Sequence, residues 1–116
     1  MREYKYDKPS IYIYYSSEIK DISTFNEVLF GIEEEGIPYE VKEQNEADLL
    51  ELSYKAAQDS RLAVGIGIHS NGKIALTFNK LKKESPLFIS SLNSEEKVLR
   101  NLGANAGRLV KGIAFK

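Results

Sequence analysis

Residues 10–15, SIYIYY, are β-branched and aromatic and follow Pro9, which predicts a buried first strand. Phe25, Val28, Leu29 and Ile32 then recur at i, i+3, i+4 and i+7, the spacing of one helix face. Ser23 or Thr24 can cap that helix, Gly36 can close it, and Pro38 prevents its continuation. PYEVKE (38–43) alternates and predicts a second strand. Asn45 can cap a second helix reaching Gln58, with Leu49, Leu50, Leu52, Ala56 and Ala57 inward. The most apolar run, LAVGIGI (62–68), predicts the central strand. Ser70-Asn71-Gly72 is a tight-turn signal, since Asn-Gly tolerates positive φ at both central positions, and KIALTF (73–78) returns as an antiparallel partner. LFIS (87–90) is apolar but carries no decisive periodicity. Ser94 can cap a last helix to Val110, with Val98, Leu99, Leu102, Ala106, Leu109 and Val110 on one face, and KGIAF (111–115) can close as a fifth strand.

Strands alternating with helices predict an α/β sandwich with a mostly parallel sheet, into which the hairpin inserts one antiparallel strand near an edge. The 116 residues suit one domain, 1–116, with no repeat, linker or low-complexity stretch. A hydrophobic fraction of 42% and a charged fraction of 28% are globular composition. The absence of cysteine excludes disulfides, Cys-ligated metals and a thiol nucleophile. No apolar run approaches a membrane span and no signal peptide opens the chain, so a cytoplasmic protein without membrane contact is expected. The formal net charge of −1 argues against a nucleic-acid partner. That total hides an asymmetry. Residues 27–51 carry nine acidic side chains against Lys42 alone, whereas 61–116 carry ten basic ones against Glu84, Glu95 and Glu96. Either two solvated faces or an acidic patch aimed at a cation or basic partner would produce it.

Candidate chemistry is sparse. Gly65 and Gly67 lead into a second strand rather than a helix, so they do not form a dinucleotide fingerprint; close backbone packing accounts for them. There is no phosphate-binding GxxxxGK[ST] loop, no GxSxG, and only one histidine, His69, which reads as a loop residue. The chain alone is therefore expected to be neither an ATPase nor a Ser-His-Asp hydrolase. More informative are Glu33, Glu34 and Glu35, three carboxylates in the last turn of the first helix, where the macrodipole has the wrong sign for them. A local rule broken without visible compensation often marks a functional site. On the helical wheel Glu27, Phe30, Gly31 and Glu34 form the outward stripe, either a partner contact or a solvated helix end with one stray aromatic. Gly103 and Gly107 flank the apolar face of the last helix, for which close helix–sheet packing is the expected reason.

Three segments, GIEEEGIPYEV (31–41), LAVGIGIHSNGKIALT (62–77) and LRNLGANAGRLVKG (99–112), together resemble the small subunit of the diol/glycerol dehydratase reactivating factor, over residues 10 to 115. The fold is also similar to the medium subunit of the B12-dependent dehydratases, which is longer at its N-terminus; chain length favours the reactivase subunit. The resemblance implies a three-layer α/β/α sandwich with a mixed five-stranded sheet of order 2-1-3-4-5, strand 4 antiparallel, of the anticodon-binding-domain-like type. It also implies a chaperone-like, non-catalytic subunit. Such a subunit pairs with a large ATPase-like subunit in a heterotetramer and exchanges with the dehydratase medium subunit, so that damaged adenosylcobalamin leaves. No cofactor is implied for the isolated chain; magnesium and ADP or ATP belong with the large subunit. Through the G-[IL]-E-E segment, Glu34 is implied to reach a divalent cation at the interface with that partner. The MREYKYDKP leader and the SSEIKD loop are not distinctive of the family, so no contacts carry over to that end of the sheet. A bacterial microcompartment is an alternative location. A medium-subunit-like component of a dehydratase is the first alternative function and an RNA-binding module the second, the latter disfavoured by near-neutral charge and the lack of a basic–aromatic stripe.

Overall fold

A computed structural model describes residues 8–45 and 48–116; the leader through Asp7, and Glu46 of the acidic run, lie outside the described residues. Five strands, β1 (Ile11–Ser16), β2 (Tyr39–Gln44), β3 (Val64–Ile68), β4 (Lys73–Phe78) and β5 (Phe88–Ser91), form one sheet of order β2-β1-β3-β4-β5. β1 pairs parallel with β2 and β3, while β4 runs antiparallel to both β3 and β5. Helices α1 (Asn26–Glu34) and α3 (Glu96–Lys111) cover one face and α2 (Leu49–Asp59) the other, the expected sandwich.

Registration explains the core. Val41, Ile13, Ile66, Leu76 and Phe88 are paired in sequence across the sheet, so one apolar row crosses every strand on the face beneath α1 and α3. Val64, Ile66 and Ile68 fill that side of β3. The alternate residues, Gly65 and Gly67, meet α2: a Cβ on Gly65 would lie 2.6 Å from the Ala56 carbonyl carbon, and one on Gly67 would lie 2.9 Å from the Leu52 Cβ. The strand glycines are therefore where helix backbone approaches sheet backbone, as their pattern predicts. On this second face Tyr14 donates a 2.5 Å hydrogen bond to Asp59, and burial followed by that bond raises the phenol pKa well above its ordinary value.

Several local expectations are corrected. The first helix is entered through a 3₁₀ turn, Ile22–Phe25, capped by Asp21 rather than by Ser23 or Thr24; Asp21 accepts from the Ser23 amide, 3.0 Å away. Asp48, not Asn45, caps α2 through the Glu51 amide, because β2 runs on to Gln44. Within α2 the fully buried positions are Leu52, Ser53, Ala56 and Ala57, while Leu49 and Leu50 are only half-buried. Ser94 does not cap α3, since its hydroxyl is turned to Ser90 at 3.2 Å; Glu95 takes the position without a side-chain bond. The hairpin turn places positive φ at Gly72 alone, not at Asn71; the Gly72 amide closes the turn onto the His69 carbonyl. LFIS supplies the edge strand β5, and KGIAF is not a strand. Gly112, at φ 73°, ends α3, and the chain turns back onto the helix: the Ile113 amide bonds to the Arg108 carbonyl and Arg108 donates to the Ala114 carbonyl. These backbone groups find their partners on α3 instead of on the sheet.

Candidate functional site

α1 and α3 lie against each other with almost no side-chain spacer. A Cβ on Gly31 would collide with the Arg100 carbonyl oxygen, and one on Gly103 with the Val28 carbonyl oxygen. A Cβ on Gly107 would lie 2.6 Å from the Glu35 Cβ. Helix–helix rather than helix–sheet contact is thus the reason for the two glycines of α3. It also moves Gly31 off the outward stripe: Gly31 is buried beneath α3 and presents nothing to solvent in this chain.

This close approach brings the cationic side chains of α3 onto the acidic end of α1. Glu35, with only 9% of its side chain exposed, receives Lys111 at 2.7 Å and Arg108 at 3.1 Å. The Lys111 hydrogen bond, with Arg108 adding to it, holds the Glu35 carboxyl below its ordinary value against the opposing effect of desolvation. Glu33 accepts from the Tyr39 hydroxyl at 2.8 Å; burial and then this bond raise the Tyr39 pKa. Glu34 meets Arg100 at 2.8 Å, with the Lys116 ammonium at 3.8 Å. Glu34 and Glu35 are therefore compensated by cations, contrary to the sequence expectation, and their guanidinium partners stand 66 or more positions away along the chain, while Glu33 is met by the neutral Tyr39 hydroxyl. Part of the charge asymmetry is this intramolecular pairing.

What remains outward is organised by Arg100, a residue that no sequence pattern singles out. Its Nε and Nη2 bond to one oxygen of the half-buried Glu27, at 2.8 and 2.7 Å, and its Nη1 bonds to Glu34 at 2.8 Å. Its guanidinium carbon lies 5.7 Å from the centre of the Phe30 ring, which is 42% exposed. Glu27, Phe30 and Glu34 are thus brought together around one guanidinium, beside a shallow groove of about 280 Å³ lined by Glu27, Glu96, Lys97 and Arg100. The only signal available in the sequence was the unexplained acid run on one helix and the basic residues on another.

A second surface feature lies where α3 meets β5. Val98, expected inward, is 43% exposed, and together with Phe88 and Ile89 it lines an apolar groove of about 220 Å³. Phe115 packs edge-on against Phe88, and the buried Asn105 accepts from the Lys116 amide at 2.7 Å. His69 is satisfied within its turn, its Nδ1 accepting from the Asn71 amide. Among the described residues, no group of three or more His, Cys, Asp or Glu side chains could hold a metal ion, and no helix is long and apolar enough to cross a membrane.

A family model described as the dehydratase medium subunit matches residues 8–116. The propanediol dehydratase-reactivating factor small subunit of Citrobacter freundii is 38% identical over 108 residues, spanning 93% of this chain and 90% of that protein. Among solved structures, a glycerol dehydratase reactivase chain superposes with a TM-score of 0.90 at 35% identity, covering 93% of this chain and 96% of that one. A chain of the diol dehydratase-reactivating factor complexed with ADP and Mg2+ superposes with a TM-score of 0.87 at 34% identity, covering 95% and 99%.

Proposed function

The chain belongs to the dehydratase medium-subunit family, and we propose that it serves as the small subunit of a diol or glycerol dehydratase-reactivating factor. The observation that carries this reading is the near-complete, mutual coverage between this chain and reactivating-factor small subunits, in sequence and in fold. The subunit is non-catalytic. Nucleotide and its magnesium belong with a large ATPase-like subunit, a reading supported by the related reactivating factor's being complexed with ADP and Mg2+. The mechanism is subunit exchange: the small subunit takes the place of a dehydratase medium subunit, and damaged cobalamin leaves through the gap. The family model is in keeping with exchange, because a chain shaped like the medium subunit can occupy the docking surface that subunit uses.

The face toward the large subunit is the one carrying Glu27, Phe30 and Glu34. Glu34 is 43% exposed and already opposes a positive charge, so its donor chemistry suits one hard oxygen ligand to a divalent cation. It supplies a single carboxylate, and the remaining ligands must come from the partner chain and water. When bound, the cation would neutralise the carboxylate and tie the two chains together. Gly31 acts beneath this face, by letting α3 approach.

Light scattering of the protein mixed with a large reactivase subunit and Mg-ADP tests the assignment. A stable heterotetramer is expected. Absence of that complex, with association instead to dehydratase large subunits, would replace the reading by that of a medium-subunit-like dehydratase component, which the description of the family model favours. Glu34→Gln should weaken the magnesium dependence of assembly; unchanged dependence would remove Glu34 from the interface.

A further inference from the structure

Arg100 holds its two carboxylates unequally. Glu27 receives two of its nitrogens and is half-buried, with 21% of its side chain exposed; Glu34 receives one nitrogen and is 43% exposed. Breaking the bond to Glu34 would leave the guanidinium anchored on Glu27 and over the Phe30 ring. No buried charge would be stranded, and the freed carboxylate would be solvated. Breaking the bond to Glu27 instead would leave a half-buried carboxylate without its cation. The Glu34 side is therefore the easier one to open.

We propose that Arg100 is an intramolecular latch on Glu34: anchored by Glu27, it occupies the Glu34 carboxylate in the free subunit and yields it when the large subunit and a cation dock. Lys116, 3.8 Å from the other Glu34 oxygen, adds to the same screening. The proposal rests on the reading of Glu34 as a cation ligand at that interface and adds the residue that regulates it. Arg100 is a positioning residue here and makes no contact with nucleotide. Because the Arg100–Glu34 pair is solvent-exposed, the latch is weak: an exposed pair corresponds to about a two- to fivefold change in an equilibrium. A latch of that strength keeps Glu34 from collecting stray cations yet hardly opposes a partner that brings the other ligands.

The test is the magnesium concentration at half-assembly of the full-length protein with a large reactivase subunit, measured by light scattering for wild type, Arg100→Gln, Arg100→Lys and Glu34→Gln. Arg100→Gln should lower that midpoint about two- to fivefold and, because the latch is open in the assembled state, strengthen the affinity at saturating magnesium by a similar factor. Arg100→Lys, a point charge that cannot span two carboxylates, should fall between it and wild type. A structural role alone would weaken the saturated affinity and raise the midpoint. An unchanged or raised midpoint in Arg100→Gln, with Glu34→Gln still altering magnesium dependence, would overturn the latch and leave the Glu34 reading standing. If Glu34→Gln alters nothing, both fall together. Thermal melts of each variant identify any that is misfolded. Should Arg100→Gln misfold, Arg100→Lys decides the matter: a lowered midpoint supports the latch and a wild-type midpoint overturns it.

Discussion

Gly103→Ala tests the α1–α3 contact that brings Arg100 onto Glu27 and Glu34. An alanine inside a helix gains about 1 kcal/mol over glycine by intrinsic propensity. In an isolated helix the substitution would therefore be stabilising. Here the new methyl would collide with the Val28 carbonyl oxygen and lie 2.8 Å from the Val28 carbonyl carbon and 3.2 Å from the Ile32 amide nitrogen. These are backbone atoms and no rotamer change relieves them, so the helices must part by on the order of 1 Å. A gap of that size forfeits roughly a quarter to a half of each contact across the seam, which includes Val28, Ile32, Leu102 and Ala106. Overpacking of a filled core costs about 1–3 kcal/mol, and more when backbone must move. With backbone forced to move, a cost of about 3–4 kcal/mol less the propensity gain of about 1 leaves a net loss of about 2–3 kcal/mol, or about 8–12 °C in Tm for a domain of this size. Urea unfolding followed by far-ultraviolet circular dichroism measures it. Gly107→Ala is the comparison: its methyl would lie 2.6 Å from the Glu35 Cβ, which no rotamer change moves, but Glu35 stands just past the end of α1, where one residue rather than a whole helix must shift, so a smaller loss of about 1 kcal/mol is expected. A Gly103→Ala protein as stable as wild type would refute the close crossing.

Two further outcomes follow from the same structure. Because Lys111 and Arg108 hold the Glu35 carboxyl below its unfolded value, its contribution is present above the ordinary carboxylate range and is lost as pH falls through the folded value; the melting temperatures of wild type and Glu35→Gln should therefore differ at neutral pH and converge in acid, and a gap that persists in acid would reassign it to packing. Ala63, just before β3, has φ 67°, a left-handed conformation costly for any residue with a Cβ, so Ala63→Gly should raise stability by about 0.5–1 kcal/mol in denaturant melts once the added freedom of the unfolded chain is subtracted, and a loss would show that the Ala63 methyl packs more than the strain costs.

The strands and helices with a clear period were legible in the chain because their periodicity is a local property. SIYIYY, VGIGI and KIALTF became β1, β3 and β4, and Gly65 and Gly67 correctly signalled close packing. Helix caps were less legible: Asp21 and Asp48 took the places expected of Ser23 or Thr24 and of Asn45, since several nearby residues can each accept from a free amide and the path of the chain chooses among them. LFIS and KGIAF are both short apolar runs, and only pairing with β4 made the first a strand, while contact with Arg108 turned the second back onto α3. The acidic end of α1 was visible from sequence as an anomaly. Its resolution, by Arg100, Arg108 and Lys111, depends on three glycines that let two helices touch. Sequence thus determined the alternating elements and the shared helix face of Glu27, Phe30 and Glu34. Tertiary structure alone decided which charges are satisfied, because an ion pair depends on distance in space, and here its partners are brought together across more than half the chain.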